Sequence, residues 1–327
     1  MFKCADAYRN NVEGDPMIIS ASRRTDIPTY YSEWFFNRIK EGYVCVRNPM
    51  NIHQISKIDL SPDVVDGIVF WTKNPIPMID RISELEKYIY YFQFTLNAYG
   101  KDVEPNVPSK NDYIIPAFQK LSSIIGKERI VWRYDPIFIN EHYTLDYHKK
   151  YFQVLCSKLS QFTEKCTVSF IDLYKNTARN TKRLNIQTLS NDDVLELMSC
   201  FSSVAKNEGI YIDTCAEEYD ISSLSISHAC CIDKQRLERL GNYTLKIGKD
   251  KSQRGICGCI ESIDIGMYNT CENGCAYCYA NFNQSTAAKN HTAHNPESPL
   301  ICGEIGEDDK VNIRKVQSNI ETQMTLF

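Results

Sequence analysis

"TCENGCAYCYA", residues 270–280, sets three cysteines at CxxxCxxC spacing near the end of a 327-residue chain. The segment that runs into it, "IESIDIGMYNT" (260–270), has the apolar spacing of a strand. Asn273 and Gly274 permit the sharp backbone turns by which a short loop folds around a metal centre. Thiolates are soft ligands, so Cys271, Cys275 and Cys278 suit either zinc or an iron–sulfur cluster. A closed zinc site needs a fourth ligand, for which Cys302, His291 and His294 are candidates. A cluster held by three thiolates leaves one iron open.

Composition frames this motif. Apolar residues make up 43% and charged residues 24%, the ordinary balance of a globular chain with its own core. The formal charge of -4 gives no global basic field for duplex nucleic acid and leaves only a local groove. "MFKCADAYRNNVEGDP" lacks the apolar core of a signal peptide, and no run approaches the roughly twenty apolar residues of a membrane span. A cytoplasmic protein with no membrane partner is the expectation. Fourteen cysteines without a secretion signal point to metal rather than disulfides. Eight of them fall between Cys215 and Cys278, while Cys4, Cys45, Cys156, Cys166 and Cys200 are scattered. Cys156 and Cys200 sit in helix-like segments and read as small core residues.

Outward from the motif the chain alternates short apolar runs with amphipathic stretches, the rhythm of an α/β fold. Strands are expected at 17–24, 67–74, 90–97, 129–139, 166–174 and 210–215. Helices are expected at 30–42 (ended by Gly42), 77–88, 109–125, 144–161 and 190–208 (capped by Ser190). "GYVCVRN" and "HQISKIDL" form a small strand excursion. Polar residues gather where the strands end, which in parallel sheets is where a site forms. Residues 1–215 therefore carry most of the sheet, 216–259 a cysteine-rich insertion, and 260–284 a last strand with its loop. The tail, 285–327, is expected to be an extended wrap or partly disordered.

The three cysteines flanked by Tyr277 and Tyr279 resemble the signature of radical S-adenosylmethionine (SAM) enzymes, and "CAYCYA" is similar to the spore photoproduct lyase branch. The resemblance implies a 4Fe-4S cluster with three irons on the cysteines and the fourth chelated by the amino and carboxylate groups of SAM. It also implies reductive cleavage of SAM to methionine and a 5′-deoxyadenosyl radical that takes hydrogen from a substrate. In that superfamily the motif follows the first strand of a partial (βα)6 barrel of TIM type. Here the strand before it comes last, so the chain reads as a circular permutation, with "MIISASRR" as strand two. The termini of a compact domain often lie close together, which makes such a rearrangement cheap. The 260–270 segment should then pair in parallel beside 17–24, with Cys271 in the same mouth as Ser22 and Arg23. "GIVFWTKN", "FQFTLN" and "WRYDPI" stand in the order of the "TK", "SLN"-like and "R-DP" segments of lyase-like members. From "ISASRRTDIP" through "VRNP", "FWTKNP" and "DIGMYNTC" to the final "TLF", the chain resembles the domain of unknown function 1848 family, whose cysteine cluster is likened to the radical SAM one. The class implies a reductant such as flavodoxin or ferredoxin. It leaves the substrate, small molecule or nucleic acid, open.

Other residues carry candidate roles. Cys215, Cys231, Cys257 and Cys259, with Cys230 spare, form a second thiolate set for an auxiliary 4Fe-4S cluster or zinc. Arg23 and Arg24, with Ser22 and Ser20, could receive the SAM carboxylate or an anionic substrate, or pair with Asp26. Arg133 and Asp135 either touch SAM or pair with each other, and Lys73 shares that ambiguity; these three are the catalytic candidates. Thr95 and Asn97 could bind ribose hydroxyls or form a core pair, and Tyr277 is a stacking or hydrogen-donating candidate. His228 is a ligand, an acid or a solvated loop residue. Two rivals belong to other classes: a zinc-stabilised binding module, for nucleic acid among other partners, and an iron–sulfur electron carrier that never cleaves SAM.

Overall fold

Strands buried on both faces need nearly continuous apolar runs, and all six main runs form them in the computed structural model. It describes residues 17–321 except Ala216, Glu218 and Asp220; Cys4 and the closing "TLF" lie outside these. In chain order the strands are β1 (Ile18–Ala21), β2 (Tyr43–Asn48), β3 (Asn51–Asp59), β4 (Gly67–Thr72), β5 (Tyr90–Thr95), β6 (Ile130–Ile137), β7 (Lys165–Phe170), β8 (Tyr211–Thr214), β9 (Ser227–His228), β10 (Ile263–Asp264) and β11 (Lys310–Ile313). The main sheet has the order β10-β1-β4-β5-β6-β7-β8-β9 with every neighbouring pair parallel.

The strand ahead of the cysteine loop sits beside β1, as the sequence led us to expect. β10 pairs in parallel with β1 in the register Ile19 to Ile263 and Ser20 to Asp264. Residues 260–320 are thus part of the main body and not a separate zinc ribbon. The expected α/β fold is present, with an open sheet of eight strands where the expected partial barrel had six; its edges β9 and β10, two residues each, do not pair with each other. Alternation along each strand separates two faces. Ile19, Phe70, Phe92, Phe94, Trp132 and Val168 join the core that the helices cover. Ile18, Val69, Tyr91 and Val131 pack instead against Ile232, Leu237, Leu245 and Ile260 of the segment that runs from one sheet edge to the other.

The helix Ser32–Glu41 ends at Gly42, whose φ of 75° is the left-handed cap that glycine supplies. The helix Asn191–Asn207 starts with a capping box between Ser190 and Asp193. Over 77–88 the structure differs: one helical turn, Ile76–Ile79, is followed by a 3₁₀ turn, Ile82–Leu85. Ile79, Ile82, Leu85 and Tyr88 are all buried at three-residue spacing, which is the 3₁₀ period and not 3.6. The tail is also more ordered than expected. Asn283 caps a helix, Gln284–Thr292, and β11 adds in parallel to the hairpin β2–β3 to make a second, three-stranded sheet. Among the described residues no helix is long and apolar enough to cross a membrane.

Candidate active site

β10 is fastened by one carboxylate. Asp264 accepts the hydroxyls of Ser20 at 2.7 Å and Ser22 at 2.8 Å, and the backbone N–H groups of Arg23 at 2.8 Å and Gly266 at 3.0 Å. A Cβ on Gly266 would stand 2.0 Å from Ser22 Oγ, so this close approach requires glycine. The Arg24 guanidinium lies 3.9 Å from Asp264 and over the ring of Tyr268. The carboxylate beside these arginines is therefore Asp264, not Asp26, and the Ser22 hydroxyl is already engaged.

From there the cysteine loop lies over the ends of β1 and β4, held on several sides. Tyr31 donates its hydroxyl to the Thr270 carbonyl at 2.6 Å. Asp26 accepts Asn273 Nδ2 at 3.1 Å and the Lys73 N–H at 2.8 Å, while Tyr30 donates to Asn273 Oδ1 at 3.1 Å. On the far side Ala276 N–H bonds the Val103 carbonyl at 2.9 Å, and Asn106 Nδ2 the Glu272 carbonyl at 2.6 Å. Gly274 has φ 69°, and a Cβ there would meet Pro105 at 3.0 Å.

Burial pushes all three thiols of the loop up, Cys275 to about 12, and for Cys271 the nearby Asp26, Cys278 and Cys275 add to the rise. Three soft sulfur donors on one loop, with the Lys73 cation beside Cys275, are the donor chemistry of iron–sulfur or zinc sites. Among the described residues no three His, Cys, Asp or Glu side chains already converge on a point that could hold a metal ion. The three candidates for a fourth ligand are engaged elsewhere. His291 faces Glu272 at 3.3 Å, His294 Nδ1 lies 2.7 Å from the Ile301 carbonyl, and Cys302 donates to the Asn290 carbonyl at 3.2 Å.

Beside Cys275 lies an ion network. Lys73 Nζ donates to Glu104 at 2.8 Å and to the Tyr277 hydroxyl at 2.7 Å, and Lys110 pairs with the other Glu104 oxygen at 2.5 Å. Burial opposes the Glu104 charge, but the two lysines outweigh it and hold the carboxyl at about 2. Burial likewise opposes the charge on Lys73, and Glu104 with Cys275 raises its pKa above the ordinary lysine value. Lys73 is thus a fixed cation next to a thiol. Asn97 spends its amide on both backbone groups of Asp135 at 2.7 Å, with the Tyr277 hydroxyl 3.3 Å away. Thr95 stands opposite Arg133 in the sheet register.

The second thiol set comes together from three segments. Cys215 follows β8, Cys231 follows β9, and Cys257 and Cys259 precede β10. The Cys215 and Cys231 sulfurs are 3.2 Å apart, and Cys259 hydrogen-bonds with both Cys231 and Cys257. The contacts run in series, from Cys215 to Cys231 to Cys259 to Cys257, and not yet around one point. Cys230 packs its sulfur on Gly258, between Cys257 and Cys259. Arg133 donates to Cys231 Sγ at 3.0 Å and takes Asp135 in a fork at 2.9 and 2.5 Å. Gln93 and Tyr91 donate to the Cys231 carbonyl at 2.7 and 2.6 Å. Arg23 lies over Trp71 and near Cys259 and Cys231, and its Nη2 is buried without a protein partner. Asp135 is close to both Lys73 and Cys215, so the Arg133–Asp135 pair joins the two cysteine groups. His228 is exposed on β9.

Asp264, Glu104, Gln93 and Trp71 escaped the sequence reading, which took Asp26 only as a partner for Arg23 and Arg24 and Asn273 only as a turn former. Only Asp264 gave a signal, as a carboxylate inside the apolar run "IDI".

No curated protein matches the chain. A crystal structure from Bacteroides thetaiotaomicron described as an alpha-L-fucosidase is similar at 10% identity, covering 85% of this chain and 94% of its own, with a TM-score of 0.26. The model of a family described as domain of unknown function (DUF1848) matches residues 18–280, from β1 to the end of the cysteine loop, and the chain belongs to that family.

Proposed function

We propose that the chain is a radical SAM-type iron–sulfur enzyme, with Cys271, Cys275 and Cys278 as the ligands of a 4Fe-4S cluster. The observation that carries this reading is the parallel pairing of β10 with β1, which sets a three-thiol loop over the carboxyl ends of a parallel sheet, where α/β folds build their sites. When bound, the cluster and SAM would supply reductive sulfonium cleavage and hydrogen abstraction. The chain's own residues bind, orient and exclude water. Lys73, held charged by Glu104, offsets thiolate charge next to Cys275. Asp26 and Asn273 fix the loop backbone. Tyr277 fills the space between Lys73 and Asn97. Arg133 and Asp135, tied to each other, serve as positioning residues between the two cysteine groups.

The test is anaerobic reconstitution with iron and sulfide, followed by incubation with dithionite and SAM and assay for 5′-deoxyadenosine. Production by the wild type and its loss in Cys275→Ala supports the reading. A colourless protein that takes up only zinc at this loop, or full production by Cys275→Ala, overturns it.

A further inference from the structure

We propose that Cys215, Cys231, Cys257 and Cys259 bind a single zinc ion that ties together the two edges of the open sheet. The topology argues first. Cys215 and Cys231 end the strands at one edge, β8 and β9, and Cys257 and Cys259 lead into β10 at the other. No ladder joins β9 to β10, so a metal held by thiolates from both flanks would replace the missing hydrogen bonds.

Sulfur spacing argues second. In a cubane each cysteine binds a different iron, which spreads the sulfurs, whereas one tetrahedral ion with Zn–S near 2.3 Å holds its four sulfurs roughly 3.8 Å apart. Cys215 and Cys231 stand at 3.2 Å, with Cys259 and Cys257 continuing the contact. Rotation of these side chains is needed to turn a series of contacts into a shell. The surroundings suit a structural site: Cys231, Cys257 and Cys259 are buried in one apolar cluster with Ile232, Leu237, Leu245 and Ile260, and the half-buried Cys215 packs against it.

Polar groups argue third. Arg133 already donates to Cys231 Sγ at 3.0 Å, and the Ile232 N–H to Cys259 Sγ at 3.4 Å. Arg23, beside Cys231 and Cys259, has a buried Nη2 with no protein partner. Four thiolates on a divalent ion carry a net double negative charge, and donors of this kind accompany it. Cys230, whose sulfur packs on Gly258 between Cys257 and Cys259, borders the set as a fifth thiol; the four proposed ligands are those whose sulfurs contact one another.

The test uses the full chain carrying Cys271→Ala and Cys275→Ala, which keeps all four proposed ligands and cannot assemble the first site. Purified anaerobically, it should contain one zinc per chain. After removal of that metal, cobalt(II) alone should bind at one equivalent and give the d–d bands of a tetrahedral thiolate site. Adding Cys257→Ala and Cys259→Ala should abolish both. Iron with acid-labile sulfide in the first variant, a Cys215–Cys231 disulfide, or no bound metal would overturn the proposal. If the fourfold variant does not fold, the cobalt spectrum of the double variant still decides. SAM cleavage reads the other cysteine group, so failure there leaves this result untouched.

Discussion

The two cysteine groups hold their sulfurs by opposite means. The loop at 271–278 is contiguous in sequence and fixed by what surrounds it: Asp26, Tyr30, Tyr31, Val103 and Asn106 grip its backbone and its asparagine. The set at Cys215, Cys231, Cys257 and Cys259 is scattered over three segments, and its sulfurs touch one another inside an apolar shell. The first group is held by a backbone cradle, although among the described residues its three thiols do not yet converge on a point. The second is held by mutual sulfur contact and by the Arg133 and Ile232 donors. On the readings proposed above, the contrast would be that between an open reactive site and a closed structural one.

The sharpest way to break that contrast is to remove the ligands. Structural zinc contributes about 10–16 kcal/mol in peptides that fold around it, so Cys257→Ala with Cys259→Ala should cost the chain its cooperative thermal unfolding. Cys275→Ala, compared metal-free with metal-free at the first loop, should stay within about 1 kcal/mol of the parent. Equal losses in the two variants, followed by circular dichroism, would erase the distinction.

Next is the carboxylate under the cradle. Asp264→Ala strands the hydroxyls and N–H groups that it now accepts, and should cost about 3–4 kcal/mol in urea titrations. Asp264→Asn should recover part of that, because its amide oxygen can still accept. 5′-Deoxyadenosine formation should fall with Asp264→Ala while zinc content holds.

Acid separates the groups more gently. Glu104 lies at about 2 in the folded chain against an ordinary value of 4.5. A carboxyl depressed on folding stabilises above its unfolded value, and that contribution fades as pH falls from about 4.5 toward 2. The buried pair supplies on the order of 2 kcal/mol in this window. Glu104→Gln should be less stable at neutral pH and show a flatter acid limb in unfolding measured pH by pH. An unchanged limb would mean that the ion network does not act as a unit.

The smallest effect tests the fifth thiol. Gly258→Ala brings a Cβ to 2.5 Å from Cys230 Sγ and should cost about 1–2 kcal/mol by overpacking. Cys230→Ala in the same chain should relieve it, and Cys230→Ala alone should leave zinc content unchanged. Loss of zinc in that single variant would make Cys230 a ligand.

Much of this was readable before any coordinates. The βα rhythm gave every main strand, Ser190 and Gly42 gave helix ends, and the displaced cysteine motif gave the partner of β1. Adjacent motifs are legible because local chemistry writes them. The edge strand β9 was not, since a two-residue strand leaves little pattern. The polar groups that grip the loop were mostly invisible for a related reason. Glu104 and Asn106 lie in an irregular segment, and their roles arise only when residue 104 meets residues 73 and 277. Arg133 and Asp135 were read as touching SAM or pairing with each other, and the two side chains do pair. Arg24, assigned Asp26 as its alternative partner, found Asp264, because the strand that carries Asp264 slides in beside β1.

That strand has a consequence in time. Ser20 and Asp264, which bond at 2.7 Å, are 244 residues apart, and at roughly 5–20 residues per second a ribosome needs about 12–50 s to make the second after the first. Until then β1 lacks one neighbour and presents an unsatisfied edge to other chains. The thiols that would host radical chemistry are also among the last parts to emerge. A nascent chain stalled before residue 264 carries most of the sheet and none of the three loop thiols, so the centre proposed above could not form ahead of the walls that would contain it.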